Sequence, residues 1–284
     1  MSPSAGWVAS DEMRPAVRTP LLLALSCVLA LALTGVLALL VPGVRLKDAA
    51  SLHGFTELDR PRSEPVLSGV AHLADPIPFA LMGLALVALA LARRRYAVAV
   101  AIPVILVGTG LTTQILKQVT AQPRVLDWLG SNQIGDASWP SGHATAAMTI
   151  ALCAILASPA RLRPIAALLG GGFAVAVSYS ILALSWHFPS DVVGAYLVAA
   201  TWTLLAVAAL EAVGARRSGP APAVGPLLAA GALGGVAWGA VVALARPGAA
   251  LHFALDRPAF LAGAVVIGLA GISIAGAMAR ATRV

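Results

Sequence analysis

Long apolar runs separated by short polar turns dominate this chain. Eight such runs each predict a helix, at about 20–41, 76–92, 96–116, 144–158, 164–184, 191–213, 223–245 and 259–279. A helix that crosses a bilayer needs about 20 predominantly apolar residues, and several runs reach that length. The pattern therefore predicts an all-α protein, a multi-pass transmembrane helical bundle.

Polar interruptions divide the predicted bundle. Gly219, Pro220 and Pro222 favour a cytoplasmic hinge at 214–222, between a six-helix membrane core at 1–213 and an additional pair of transmembrane helices at 223–284. The first apolar run is too long for a typical signal peptide and follows a polar leader, which indicates a retained helix. The polar stretch at 42–75 fits either a short interfacial helix, which would cover the candidate site described below, or a solvated connector.

Composition strengthens the membrane prediction. Of 284 residues, 59% are hydrophobic and 11% are charged, and the mean hydropathy is +0.89, which excludes an ordinary soluble domain. The formal net charge is +7, but most basic residues flank apolar runs, so they indicate topology and lipid contacts rather than nucleic-acid binding. Cys27 and Cys153 each lie inside an apolar run and predict neither a disulfide nor a metal site.

Lys and Arg residues orient the bundle. They cluster in short turns such as Arg93, Arg94 and Arg95 on one side, which predicts a cell-membrane protein with both termini in the cytoplasm. This topology places the loops at about 117–143 and 185–190 together outside. The chemistry-bearing residues described next fall in those two loops or at their edges, so we expect one extracytoplasmic site.

His187 and Asp191 are four residues apart, and Pro189 and Ser190 between them suit the start of a helix. A carboxylate bonded to one imidazole nitrogen fixes the tautomer and makes the other nitrogen a better nucleophile or base. The same pair could instead do no more than cap a helix.

A second candidate group is Pro140-Ser141-Gly142-His143. Gly142 allows close backbone approach to a ligand, and a helix that begins here would direct free N–H groups at an anion. His143 could then donate a proton to a leaving oxygen. The alternative is a helix cap followed by an interfacial histidine, and Lys117 and Arg124 could likewise be phosphate ligands or snorkelling anchors.

The order and spacing of these residues resemble the type 2 phosphatidic acid phosphatase superfamily, which is related to vanadium haloperoxidases and bacterial acid phosphatases. Its three motifs are Lys, six residues, Arg-Pro; Pro-Ser-Gly-His; and Ser-Arg, five residues, His, three residues, Asp. The matching positions are Lys117, Arg124, Pro140, Ser141, Gly142, His143, Ser180, His187 and Asp191. The resemblance covers about 70–212, and the chain departs from it at Val125 and Ile181, where proline and arginine are usual.

The resemblance implies a lipid phosphatase whose site lies at the outer leaflet. His187 would attack phosphorus and form a phosphohistidine, Asp191 would orient it, and His143 would protonate the leaving group. Lys117, Arg124 and the backbone of Ser141 and Gly142 would hold the phosphoryl oxygens. The implied substrate is a lipid phosphate or diphosphate, and the resemblance implies that no metal is needed. We expect no cofactor, and the placement of the basic residues predicts no nucleic-acid partner. The oligomeric state is not predicted.

Ile181 is the main departure from the family pattern, because an alkyl side chain cannot contact a phosphate oxygen. Three consequences are open: a slow enzyme, replacement by another cation such as Arg246 or Arg257, or a site that binds without turnover. The alternatives to a phosphatase are therefore a catalytically weakened lipid-phosphate-binding or scaffold protein and a phospholipid headgroup transferase.

Overall fold

The structure is a computed structural model that describes residues 15–124, 126–127, 134–214 and 247–281. Apart from a short 3₁₀ turn at Ala160–Leu162, every regular element in these residues is an α-helix. The ten helices of the described residues are α1 (Pro15–Leu40), α2 (Pro42–Thr56), α3 (Glu64–His72), α4 (Pro76–Ala92), α5 (Tyr96–Val119), α6 (Gly142–Ala157), α7 (Arg163–Ala183), α8 (Pro189–Ala212), α9 (Pro247–Asp256) and α10 (Pro258–Ala281).

The prediction of a multi-pass helical bundle is confirmed. Five of the described helices, α1, α5, α7, α8 and α10, are long and apolar enough to cross a membrane, and α7 does so together with the turn before it. The pair α3 and α4, bent by 52°, could supply a sixth span. Seven of the eight predicted runs coincide with helices, and the run at 223–245 lies outside the described residues, as does the hinge beyond Gly214.

Helix α6 forms the centre of the bundle. It packs against α4, α5, α7, α8 and α10. Twelve of its 16 residues are buried, so it has no lipid-facing stripe. At about 1.5 Å per residue it is some 24 Å long, shorter than the hydrocarbon core of a typical bilayer. The longer helices around α6 therefore shield it, including its N-terminus, from lipid.

The two ends of α6 are stabilised differently. At its C-terminus, Arg95 donates to the carbonyl oxygens of Leu156, Ala157 and Ser158 at 2.8, 3.0 and 3.4 Å. A cation there satisfies carbonyls that have no partner within the helix and complements the negative end of the helix dipole. At the N-terminus, the Ser141 side chain accepts from the Ala144 amide at 3.3 Å. The positive end of the α6 dipole therefore lies at the end of the bundle opposite to Arg95.

Residues 42–75 contain two helices, and the alternative of a solvated connector is wrong for this stretch. Helix α2 buries Leu52 and Phe55 almost completely, and it packs against α1, α7, α8 and α10. Its polar residue Asp48 is also buried. This stretch therefore contributes to the core of the bundle.

The last described helix, α10, packs directly on the core helices α2, α7 and α8. Tyr179 of α7 donates a hydrogen bond to the carbonyl oxygen of Ala264, and the rings of Phe55 and Phe260 meet edge to face at 4.8 Å. The division into a core at 1–213 and a separate unit at 223–284 stays a prediction, although α10 shares its buried face with the core.

Small residues allow α6 and α7 to approach closely. One such close contact is between Gly170 of α7 and Ala151 of α6. A Cβ at Gly170 would lie 2.9 Å from the Cβ and 3.0 Å from the Cα of Ala151. Gly170→Ala should therefore force the two helices apart and destabilise the protein by about 1–3 kcal/mol. Gly172→Ala on the same helix is the matched control, because a Cβ there meets nothing within 4 Å.

Since alanine is the better helix former, the control should be neutral or slightly stabilising. Thermal unfolding in detergent should give a lower midpoint for Gly170→Ala only. Equal midpoints for the two variants would contradict the packing described for α6 and α7.

Candidate active site at the helix ends

Three helix termini meet at one end of the bundle and carry the residues singled out in the sequence. Lys117 lies in the last turn of α5, His143 lies in the first turn of α6, and Asp191 lies in the first turn of α8. The amide of Ser141 donates to the carbonyl oxygen of Asp191 at 3.0 Å, which joins the starts of α6 and α8 directly. The second and third motifs are therefore held together by the backbone.

His187 and Asp191 form a buried pair. Pro189 opens α8, which places Asp191 in its first turn, and the imidazole Nδ1 of His187 lies 3.3 Å from the Oδ2 of Asp191. The same carboxylate oxygen accepts the amide of Phe188 at 3.0 Å. With Nδ1 directed at a carboxylate, the neutral ring keeps its lone pair on Nε2, which is the arrangement a nucleophilic histidine needs.

The environment of His187 favours this neutral form. Burial lowers the pKa of His187 below its ordinary value of 6.5. Bonding to Asp191 acts in the opposite direction, and the nearby charges of Lys117 and His143 lower the pKa further. The lowered pKa favours the uncharged imidazole, which is the form that can attack an electrophile. Lys117 and His143 are both close enough to act on His187.

Arg124 binds the other side of the Asp191 carboxylate. Its Nη2 donates to Asp191 Oδ1 and to the hydroxyl of Ser138, each at 2.5 Å, and its guanidinium lies 4.0 Å from the centre of the Phe188 ring. A buried carboxylate between a histidine and an arginine stays charged and fixed in orientation. In this arrangement Arg124 acts on His187 through Asp191.

A cavity of about 350 Å³ opens beside the start of α6. Its polar wall includes Lys117, Gly142 and His143, and a Cβ at Gly142 would lie 4.0 Å from the Lys117 ammonium. The wall from α4 is apolar, whereas the wall from α5 includes two threonines and Gln114. A pocket that combines a cation, a helix N-terminus and an apolar wall suits an anionic headgroup on a lipid chain.

The structure brings the predicted residues to one end of the bundle, but they do not line one hollow, and Ser141, His187 and Asp191 are not lining residues of either hollow described here. Lys117, Gly142 and His143 line the 350 Å³ cavity, whereas Arg124 lines a separate cavity of about 280 Å³ with Asp48 and Arg45. The amide of Ser141 is already bonded to Asp191. Of the backbone donors at the start of α6, those of Gly142 and His143 have no partner within the helix. The assignment of all seven residues to one phosphate site stays a prediction.

Two carboxylates of this region were not identified from the sequence. The Oδ1 of Asp75 lies 3.0 Å from the Nε2 of His143, and the carboxylate of Asp48 accepts from the amide and hydroxyl of Ser190 at 3.0 and 2.5 Å. The Oδ2 of Asp48 also forms an ion pair at 3.7 Å with Nη1 of Arg124, an atom that has no hydrogen-bond partner. Both carboxylates belong to the 42–75 stretch. The sequence does not show that they reach the site, because this depends on how the helices of that stretch pack.

Ile181 replaces the arginine of the third motif and is fully buried in the apolar core of the bundle. Of the two cations considered as replacements, Arg257 is bound to both carboxylate oxygens of Glu57 at 2.6 Å each. Arg246 lies outside the described residues, as does Val125 of the first motif. Among the described residues, no cluster of three or more His, Cys, Asp or Glu side chains could hold a metal ion.

Asp48 gives the site a pH-dependent component of stability. Burial, followed by the nearby charge of Asp191, raises the pKa of Asp48 from its ordinary 3.8 to about 6. Because the folded state holds this proton more tightly than the unfolded state does, the stabilisation is present at low pH and is lost as pH rises through about 6. Asp48→Asn keeps an oxygen acceptor for Ser190 and cannot ionise.

Between pH 5 and pH 8, the wild-type protein should therefore lose about 1.5 kcal/mol of stability relative to Asp48→Asn. Chemical or thermal unfolding of both proteins in detergent at the two pH values measures this difference. A difference in stability that does not change with pH would contradict the assignment.

Comparison with known proteins is consistent with this architecture. The PAP2 superfamily model matches residues 96–215, the part of the chain that contains all three motifs. Among solved structures, the chain is similar to the first transmembrane PAP2 type phosphatidylglycerolphosphate phosphatase from Bacillus subtilis, with 19% identity and a TM-score of 0.52. That likeness covers 67% of this chain and 96% of the Bacillus subtilis chain. No curated protein matches the chain.

Fold and comparison together define a multi-pass helical membrane protein with a transmembrane phosphatase fold. The resemblance predicted from the three motifs is confirmed over residues 96–215, which match the PAP2 superfamily model.

Proposed function

We propose that this protein is a metal-independent membrane phosphatase that hydrolyses a lipid phosphate or diphosphate. The observation that carries the proposal is the buried His187–Asp191 pair, in which the carboxylate bonds Nδ1 of an imidazole that lies near Lys117 and His143. This is the set of groups that phosphoryl transfer through histidine requires: an oriented nucleophile, an acid and a cation.

In the proposed reaction, Nε2 of His187 attacks phosphorus while His143 gives a proton to the leaving oxygen. A water molecule then attacks the phosphohistidine, His143 takes up a proton from that water, and phosphate is released. The Lys117 ammonium and the first-turn amides of α6 stabilise the charge on the phosphoryl oxygens. Asp191, held by Arg124, keeps the His187 ring in its reactive tautomer throughout.

The apolar wall of the cavity supports a lipid substrate. Phe79 and Pro76 of α4 and Gly110 of α5 line the same hollow as Lys117 and His143, so a chain can lie along the helices while its phosphate reaches the helix ends. The Bacillus subtilis relative is named for phosphatidylglycerolphosphate. Phosphatidylglycerolphosphate, phosphatidic acid and a polyprenyl diphosphate therefore form the substrate panel.

We also propose that the site lies on the extracytoplasmic side. Leu39 at the end of α1 accepts a hydrogen bond from Gln122, and Pro258 at the start of α10 lies in a hollow with Asp48. The start of α1 and the end of α10 consequently lie at the opposite end of the bundle. With both termini in the cytoplasm, the site faces outward.

Phosphate release from the purified protein in detergent, with a chelator present, tests the proposal. We expect release from at least one lipid of the panel and inhibition by vanadate, which resembles the pentacoordinate phosphorus of the transition state. No release from any lipid of the panel, or release only after a divalent metal is added, would overturn it.

Ile181 supports a second candidate, a protein that binds lipid phosphate without turnover. The loss of one charged donor from a phosphoryl-transfer site costs roughly 10²–10³ in rate. Saturable lipid-phosphate binding without release of phosphate would favour this alternative. Transfer of the phosphate to a second lipid would be detected as a new labelled lipid in place of free phosphate.

A further inference from the structure

Asp75 bridges two histidines at the bend between α3 and α4. Its Oδ1 lies 3.0 Å from Nε2 of His143, and its Oδ2 lies 2.9 Å from Nδ1 of His72. Asp75 immediately precedes α4, and the two helices on either side of it are bent by 52°. Each carboxylate oxygen therefore has its own imidazole partner.

Trp186 packs against both imidazoles of this cluster. Its ring centre lies 5.3 Å from that of His143 and 5.6 Å from that of His72. Because Trp186 directly precedes His187, the same residue joins the histidine cluster to the segment that carries the proposed nucleophile. Side-chain exposure rises from 27% for His143 to 37% for Asp75 and 56% for His72, so the cluster leads from the cavity to the surface.

On the basis of the proposed function, we propose that Asp75 is a positioning residue for His143 and that His72 holds Asp75 in place. A carboxylate only accepts hydrogen bonds, so the Nε2 atom of His143 carries a proton whenever it is bonded to Asp75. The ring nitrogen left to exchange a proton with the substrate is Nδ1. Asp75 thus selects which nitrogen of His143 acts as acid and base.

The proton balance of both steps fits this assignment. In the first step the Nδ1 proton of His143 passes to the leaving oxygen as the P–O bond breaks and the N–P bond to His187 forms. In the second step Nδ1 takes a proton from the attacking water as the new P–O bond forms and the N–P bond breaks. Nε2 keeps its proton in both steps, and the bond to Asp75 persists.

His72 completes the arrangement from the surface side. By bonding Oδ2 it restricts rotation of the Asp75 carboxylate, so Oδ1 stays directed at His143. A change at His72 should therefore have a smaller effect than one at Asp75, because the direct contact with His143 remains.

Leaving-group dependence tests the proposal. Asp75→Ala should lower kcat about 10- to 100-fold on a lipid phosphate, whose alkoxide leaving group needs protonation, with little change in KM. In kcat/KM, which reports only the step in which the leaving group departs, the same variant should lose less than about threefold on an aryl phosphate, whose leaving group needs no proton. Asp75→Asn should be intermediate, and His72→Gln should be milder than Asp75→Ala.

Asp59→Ala is the matched control, since Asp59 lies in the same stretch and is exposed. Equal losses of kcat/KM in Asp75→Ala on both substrates, or unchanged kcat on the lipid phosphate, would overturn the positioning role. If His187→Ala and His143→Ala abolish phosphate release while Asp75→Ala does not change it, the inference is wrong and the proposed function stands.

A spectroscopic measurement tests the contact without any activity. In protein labelled with ¹⁵N in its histidine rings, the His143 signal, assigned by its loss in His143→Gln, should show the Nε2–H tautomer at alkaline pH. Asp75→Ala should give a mixture of tautomers. A wild-type His143 protonated at Nδ1, or a spectrum unchanged by Asp75→Ala, would overturn the inference even if no lipid phosphate proves to be a substrate.

Discussion

Replacing His187 by alanine is expected to abolish phosphate release, lowering kcat by roughly 10⁵-fold or more. The reason is that the proposed reaction has no other nucleophile: the imidazole is buried and held by Asp191 through Nδ1, with Nε2 left to react. The initial rate of phosphate release at saturating lipid measures the loss.

His252→Ala is the control for this prediction, since His252 is an exposed histidine on α9. It should retain wild-type activity. If His187→Ala keeps a tenth or more of the wild-type kcat, His187 is not the nucleophile, whichever lipid is the substrate.

Asp191→Asn is expected to have the second largest effect, with a loss of about 10⁴-fold in kcat. An amide can donate to Nδ1 of His187 and so stabilise the tautomer in which Nε2 carries the proton and cannot attack. The side chain is also completely buried and bonded to Arg124. Breaking such a pair leaves an uncompensated buried charge and costs about 3–5 kcal/mol of stability.

This second prediction therefore has two readouts. Asp191→Asn should show both a reduced kcat, measured at a temperature where the variant is still folded, and a lower unfolding midpoint. Asp256→Asn, an exposed aspartate on α9, should change neither. A variant that is destabilised yet fully active when folded would show that Asp191 serves the fold alone.

The helices were predictable because their information is local. The apolar run at 76–92 coincides with Pro76–Ala92, and the run at 259–279 differs from Pro258–Ala281 by only one or two residues at each end. The same holds for His187 and Asp191, since a separation of four residues across a helix start leaves few possible geometries. Sequence patterns of this kind determine a contact before any tertiary packing is known.

Contacts between distant segments were not predictable in this way. Asp75 lies 68 residues before His143, and Asp48 lies 142 residues before Ser190, so neither pairing leaves a periodic signal. The engagement of Arg124 by Asp191 is a further example, because the spacing of the motifs indicates which residues converge but not which of them bond to one another. The burial of Ile181 likewise follows from packing against other helices.

We expect phosphate to pass through His187, and trapping the phosphorylated protein is the direct test. The purified protein is mixed with a lipid carrying labelled phosphate, quenched with alkali within one turnover, and mapped by mass spectrometry. We expect an acid-labile, alkali-stable phosphate on His187 that is absent from His187→Ala. Phosphate on another residue, or steady turnover with no labelled protein at any time point, would show that the reaction does not pass through a phosphohistidine at His187.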